Sequence, residues 1–311
     1  MRFEYKKKLI EKGEIHISEL IKTLGNKVYL IMFITMIFAF ISIFYALSLP
    51  NIYKSEVLVK PNSSKQLSGS SLGSLSSIAN IAGINIGGSS SDITDEAIST
   101  IKSQEFLSKL IKKHSLVVPI MASKKWNANT DELEINNRIY DEIEGKWLVE
   151  FPTNKSPSNK EPSPQLVVKE FRKNLEITQD RNNGFLTISY KSHSPYFSKE
   201  VLNYLLEAIN NFMREKEVER ATKSLIFLDQ QIKNTNVQEV KKALSDLVKQ
   251  ETQKIVLSEA SDEYVFMVID NAVAPDFKDS PSRAVICMLI TFFGFVFANA
   301  FVIISRIRAE K

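Results

Sequence analysis

Cysteine is almost absent from this sequence of 311 residues, which contains only Cys287. A single cysteine cannot form an intrachain disulfide framework or a zinc site of clustered thiolates. The histidines His16, His114 and His193 lie far apart, without the i, i+4 spacing of a helical metal site. We therefore expect no metal site.

Catalytic and nucleotide-binding motifs are also lacking. Gly83 and Gly88 have the spacing of a phosphate-binding loop, but Ser89 stands where that motif requires lysine. The glutamates of residues 214–220 (REKEVER) are expected on a solvated helix face, because glycosidase acids must oppose each other across a cleft. We predict no catalytic residues, no cofactor and no enzymatic activity.

Charge is missing from two long apolar runs, residues 28–49 and 284–305. At 1.5 Å per residue, each run spans roughly 33 Å as a helix, enough to cross a ~30 Å hydrocarbon layer. The first run is longer than the ~7–15 residues of a signal-peptide core, so we interpret it as a retained anchor. The sequence thus predicts two transmembrane helices.

Positive charge is concentrated at the two ends of the chain. Residues 1–27 hold seven basic and four acidic side chains, and residues 306–311 hold three and one. The intervening residues 50–283 hold 30 basic and 31 acidic side chains. The positive-inside rule therefore predicts cytoplasmic segments at 1–27 and 306–311 and a periplasmic domain at 50–283. The sequence contains no basic stripe interleaved with aromatic residues, so we do not expect nucleic-acid binding.

The pattern between the apolar runs predicts an α+β domain. Residues 51–61 and 264–269 have the pattern of strands, and residues 175–190 that of a hairpin turning at Asn183 and Gly184. Because the first and last strands both adjoin an apolar run, we expect them to pair in a small sheet near the membrane.

Three helices are predicted from apolar periodicity. One covers residues 94–113, a long extended helix covers about residues 196–233, and a third carries Val240, Leu244 and Leu247. The charged residues 214–220 are expected to be solvated around most of the long helix. The uncharged residues 66–91 are either a flexible linker or a short helical piece that faces another subunit.

The second apolar run contains three candidate interaction residues. Gly294 and Ala298 form a small-xxx-small pair, which allows another helix to approach closely. Asn299 places an amide in the middle of the run, where it needs a hydrogen-bond partner. That partner is expected on another protomer or on the first run, where Thr35 and Ser42 are candidates.

Several segments resemble the Wzz family of O-antigen chain-length determinants, the lipopolysaccharide-type polysaccharide co-polymerases. The resembling segments are 14–27 (EIHISELIKTLGNK), 51–61 (NIYKSEVLVKP), 95–111 (DEAISTIKSQEFLSKLI), 206–232 (LEAINNFMREKEVERATKSLIFLDQQI) and 263–285 (EYVFMVIDNAVAPDFKDSPSRAV). The last segment resembles the family's proline-rich approach to the second span. Pro275 and Pro281 are therefore candidate functional residues, although Phe277 and Lys278 stand where another proline is expected.

The resemblance implies an inner-membrane protein that regulates the length of O-antigen or a related lipid-linked surface polysaccharide. It implies a ring-like homo-oligomer that contacts membrane lipid, the lipid-linked glycan and a separate polymerase. One alternative is a capsule or exopolysaccharide export adaptor that works with a separately encoded tyrosine kinase. A periplasmic sensor and a periplasmic glycan hydrolase or transferase are further alternatives without positive support in the sequence.

Overall fold

The computed structural model describes residues 10–11, 14–15, 24–62, 90–152 and 161–309. These residues form two compact units. The described residues of Met1–Asn51 and Asp279–Lys311 form the first, here called the span unit. The described residues of Ile52–Lys278 form the second, here called the sheet unit.

Strands and helices alternate along the described chain. The strands are β1 (Ile10–Glu11), β2 (Glu14–Ile15), β3 (Tyr53–Pro61), β4 (Ser123–Asn127), β5 (Glu132–Ile135), β6 (Tyr140–Asp141), β7 (Lys146–Trp147), β8 (Leu175–Gln179), β9 (Leu186–Ser192) and β10 (Phe266–Asp270). The helices are α1 (Val28–Ser48), α2 (Ser90–Ile101), α3 (Gln104–Lys113), α4 (Val117–Ala122), α5 (Pro164–Asn174), α6 (Pro195–Asn234), α7 (Gln238–Glu259) and α8 (Arg283–Ala309).

The span unit consists of the long helices α1 and α8, which contact each other, and the short antiparallel pair β1–β2. Both helices form over runs of apolar residues. A helix satisfies its backbone hydrogen bonds internally, which is the condition for crossing a bilayer.

The sheet unit is built on a four-stranded antiparallel sheet with the order β10–β3–β9–β8. The first and last strands of the unit are neighbours, with Val59 opposite Val268. Along β3 the buried positions alternate with more accessible ones, so that Val57 and Val59 face the core and Glu56 and Lys60 are exposed. The expected pairing of the first and last strands is confirmed.

The core of the sheet unit lies between the sheet and the first half of α6. Helix α6 begins at Pro195, where the Ser194 side chain accepts a hydrogen bond from the Phe197 amide and caps the helix. Its buried residues recur at helical spacing and meet the buried face of β3 and β9. The fully buried members on this side are Val201, Leu202, Leu205 and Ile209. The predicted α+β class is confirmed.

Helix α6 contains 40 residues, so it extends about 60 Å at 1.5 Å per residue. Helix α7 follows after a short connection and packs against it. Leu228 is buried between the two helices, and the side chain of Glu251 is buried with Lys254 as its ion-pair partner. The long helix predicted from the sequence is confirmed and begins one residue earlier and ends one residue later than expected.

Two expectations about local structure are wrong. The helix predicted over residues 94–113 is divided into α2 and α3, because the Ser103 side chain caps α3 by accepting a hydrogen bond from the Phe106 amide at 3.2 Å. The β8–β9 hairpin is present, but its connection is longer than a tight turn. Only Gly184 has a positive φ there (+74°), whereas Asn183 accepts a hydrogen bond from the Phe185 amide through its side chain.

The small antiparallel pairs β4–β5 and β6–β7 were not predicted from the sequence. Their residues are mostly polar, which does not distinguish a short exposed hairpin from a loop. A flexible linker or a short helical piece was expected at residues 66–91. Residues 66–89 lie outside the described residues. Ser90 and Ser91 belong to α2.

Candidate functional site

Helices α1 and α8 are candidate membrane spans. The apolar segments Val28–Ser48 and Arg283–Ser305 have mean hydropathies of 2.5 and 2.4. Large apolar side chains cover their surfaces, including Tyr29 (83% exposed) and Met288 (71%). So much exposed apolar surface is unfavourable in water and is matched by lipid. The two candidate spans flank the sheet unit in the chain.

The predicted small-residue pair of α8 lies on the face that contacts α1. A Cβ atom added to Gly294 would come within 2.5 Å of Phe38 Cβ and 2.6 Å of Phe38 Cγ. Ala298 is completely buried and packs in one cluster with Ile31 and Val302. The small side chains therefore allow the two spans of one chain to approach each other closely.

An arginine that sequence reasoning missed links the two spans at one end. The Arg283 guanidinium donates from Nη2 to the Leu49 carbonyl oxygen at 3.2 Å and to Asn51 Oδ1 at 3.1 Å. Arg283 opens α8, whereas Leu49 and Asn51 follow the last residue of α1. A basic residue next to an apolar run resembles an ordinary charged flank, so its partners 232 and 234 positions away were not predictable.

The polar side chains within the spans bond to their own helices. Asn299 donates from Nδ2 to the Phe295 carbonyl oxygen at 2.7 Å. Thr35 and Ser42 donate to the carbonyl oxygens of Ile31 and Ala39. The expected bond between Asn299 and one of these hydroxyls is therefore absent from this arrangement.

The two candidate prolines lie in different units. Pro275 lies in the segment that follows β10 in the sheet unit, and Pro281 precedes α8 in the span unit. Both side chains are half-buried, and the peptide bond before Pro281 is cis. Pro281 shares the span unit with Gly294, Ala298 and Asn299, whereas Pro275 does not.

The charged part of α6 contacts α2 on one face. Lys216 and Arg220 both contact Glu96 of α2, with N–O distances of 2.6 and 2.8 Å. Burial opposes ionisation of Glu96, but hydrogen bonds from Lys216 and Arg220 prevail and hold its pKa below the ordinary value. One face of residues 214–220 therefore binds α2, whereas none of these residues is buried and Glu215 and Glu219 are exposed.

A buried amide attaches α6 to the last strand. Asn210 accepts hydrogen bonds at Oδ1 from the amides of Val265 and Phe266, each at 2.9 Å. Its Nδ2 donates to the Phe266 carbonyl oxygen at 3.1 Å. Asn210 is only 5% exposed, so this one side chain satisfies three buried backbone groups. An isolated asparagine on a periodic helix carries no sequence signal for this role.

Residues 13–114 match the family of chain length determinant proteins, Wzz. The matched segment includes α1, β3, α2 and α3, and it confirms the resemblance identified from the sequence. No relative is found among curated proteins.

Two solved structures are similar to this chain. A full-length bacterial polysaccharide co-polymerase is 12% identical, covers 95% of this chain and 99% of its own, and superposes with a TM-score of 0.38. A fragment of WzzB, a polysaccharide co-polymerase from Salmonella Typhimurium, is 15% identical and covers 74% of this chain and 100% of its own, with a TM-score of 0.30.

Proposed function

Because residues 13–114 match the Wzz family of chain length determinant proteins, we propose that this protein regulates the length of a bacterial surface polysaccharide. The polymer is O-antigen or a related lipid-linked glycan. The protein acts without catalytic residues of its own, beside a separate polymerase that joins the repeat units. The family match is the observation that carries this proposal.

The proposed location is the bacterial inner membrane, with both termini in the cytoplasm and the sheet unit in the periplasm. The charge distribution supports this orientation, since the basic excess lies in residues 1–27 and 306–311. An alkaline phosphatase fused at residue 160 is expected to be active, because that enzyme requires export from the cytoplasm. An inactive fusion that accumulates to a normal level would reverse the orientation.

The protein is further proposed to act as a ring-like homo-oligomer. Apolar side chains on the α6–α7 pair support a self-contact, because Ile226 is 58% exposed, Phe227 42% and Val240 44%. Adjacent copies would remove these side chains from water. Chemical cross-linking of the full-length chain in its native membrane, followed by denaturing electrophoresis, is expected to give a series of multimers. A monomer as the sole product would refute the assembly.

Deletion of the gene and restoration in trans test the function. The length distribution of the surface polysaccharide, read as a ladder on a gel, is expected to lose its preferred length while synthesis continues. Restoration with the intact chain recovers that length. Complete loss of polymer from the surface would instead support the export adaptor that works with a separately encoded tyrosine kinase. An unchanged ladder would refute both functions.

A further inference from the structure

A polar cavity of about 170 Å³ lies in the sheet unit, between α4, α5 and the segment that joins β9 to α6. The polar residues that line it include Ser123, Glu170, Asn174, Lys191 and His193. The cavity is smaller than the ~300–1,000 Å³ of pockets that enclose a drug-sized ligand, so it fits one small polar unit of a larger molecule.

Aromatic rings form a ledge beside this cavity. Trp126 lies between Tyr53 and Tyr196, with ring centroids 5.4 and 6.1 Å away and interplanar angles of 80° and 58°. Tyr53 pairs across the sheet with Ser192, which lines the cavity. Trp126 shares strand β4 with the lining residue Ser123, and Tyr196 lies in the first turn of α6 with the lining residue Phe197.

The ledge is accessible from one side. Tyr196 is 46% exposed although it lies in the first turn of α6, whereas Tyr53 is 9% exposed and makes an edge contact with Trp126. The Trp126 indole Nε1 is buried and lacks a hydrogen-bond partner among the described residues. Buried donors are normally paired, so the ledge carries a polar group that its own fold does not satisfy.

We propose that the ledge and the cavity together form a saccharide-binding subsite. A sugar ring has one face of C–H groups, which suits the electron-rich face of an aromatic ring, and a rim of hydroxyls, which suits mixed donors and acceptors. Here the exposed Tyr196 ring and Trp126 contact the C–H face, and the cavity side chains receive the hydroxyls. The identity of the ligand as a glycan rests on the proposed function.

The experiment uses the full-length protein in detergent micelles with Trp147→Phe, which leaves Trp126 as the only indole. Trp147 packs against the rings of Tyr140 and Phe151, and phenylalanine keeps a ring there. The probe is the oligosaccharide released by mild acid from the surface polysaccharide of the host. A saturable change in Trp126 emission is expected. No saturable change would overturn the proposal.

Variants at Tyr196 test the stacking itself. Tyr196→Ala is expected to raise the half-saturation concentration about five- to tenfold, the range of one aromatic contact, whereas Tyr196→Phe retains binding. Phe227→Ala is the matched control, since Phe227 lies on the same helix with a similar exposure of 42%. Equal binding by the alanine variants at 196 and 227 would overturn the proposal.

Inorganic phosphate separates a saccharide site from an anion site, because Lys191 and His193 also line the cavity. The proposal expects the Trp126 signal to persist in phosphate buffer. Displacement by phosphate alone would overturn the saccharide assignment. If the oligosaccharide fails to bind while gene deletion still changes the polysaccharide ladder, the subsite is wrong and the proposed function stands.

Discussion

Replacing Gly294 by alanine tests whether the two spans of one chain touch at this residue. The added Cβ would lie 2.5 Å from Phe38 Cβ, about 1 Å closer than two carbon atoms approach without repulsion. The neighbouring atoms are Cβ, Cγ and Cδ2 of Phe38. Because Cβ is fixed to the backbone, rotation of the Phe38 side chain cannot relieve the clash. The helices must separate locally, at a cost of about 1–3 kcal/mol.

The native cysteine provides a local measurement of this separation. The Cys287 thiol donates to the Ser42 carbonyl oxygen at 3.7 Å, so a Ser42→Cys variant places a second thiol on the residue that Cys287 contacts. We expect rapid disulfide formation in isolated membranes under mild oxidation. Adding Gly294→Ala is expected to slow that cross-link severalfold. Gly25→Ala is the control, since no atom lies within 4 Å of its added Cβ.

The partner residue supplies a second test. Phe38→Gly removes the atoms that the new methyl group would meet, at the expense of the ring contact with Phe297 at 5.9 Å. The variant that carries both Gly294→Ala and Phe38→Gly is expected to cross-link faster than the two single-variant rate changes multiplied together would give. The reason is that the new methyl group no longer meets the Phe38 ring. A Gly294→Ala chain that cross-links like the Gly25→Ala control would refute the close approach.

Three further predictions concern both units. Asn210→Ala leaves three buried backbone groups without partners. The free energy of unfolding, measured by thermal or denaturant unfolding, is therefore expected to fall by at least about 2 kcal/mol. Asn236 is exposed, so Asn236→Ala is expected to leave the free energy of unfolding nearly unchanged. The pKa of Glu96 is lowered in the folded chain from an ordinary 4.5, so its contribution to stability is present at neutral pH and is lost as the pH falls through 4.5 to the folded pKa. Glu96→Gln is expected to remove that part of the acid dependence in a pH series of unfolding midpoints. Pro275→Ala combined with Pro281→Ala is expected to shift the preferred length of the polysaccharide while the protein still accumulates.

Each of these predictions has a clear contrary result. An alanine variant at position 210 as stable as the Asn236 control would mean that water or another side chain satisfies the β10 backbone. If the unfolding midpoint of Glu96→Gln depends on pH as that of the unchanged protein does, other carboxylates cause the acid dependence. An unchanged ladder in the double proline variant would remove Pro275 and Pro281 from the candidate site.

The sequence predicts best those features that depend on a long, regular pattern. The apolar runs, the long helix and the β8–β9 hairpin all repeat a simple periodicity over many residues, and all are present. The break at Ser103 was missed because Ile98, Ile101, Leu107 and Leu110 continue an apolar side across it. One capping hydroxyl determines that break, and its signal is weak beside the periodicity.

The contacts that join distant parts of the chain were not predictable. Arg283, Asn210 and Glu96 are ordinary polar residues whose roles depend on partners at least 55 positions away in the chain. The sequence marked Gly294 and Ala298 as small residues but left open which helix approaches them. The structure assigns α1 of the same chain to that position, through Phe38 and Ile31.

The adjacency of β3 and β10 determines how the sheet unit responds to tension. The chain enters the unit at Tyr53 and leaves it beyond Asp270, and these points lie at the same end of an antiparallel pair, where the Ser55 hydroxyl donates to the Val273 carbonyl oxygen at 2.7 Å. Force that pulls the entry and exit apart therefore loads the hydrogen bonds of the pair in succession, starting with the Ser55 bond. Bonds that are loaded one at a time break at a lower force than bonds loaded together, so this end of the strand pair would open before the buried positions Val59 and Phe266 are reached.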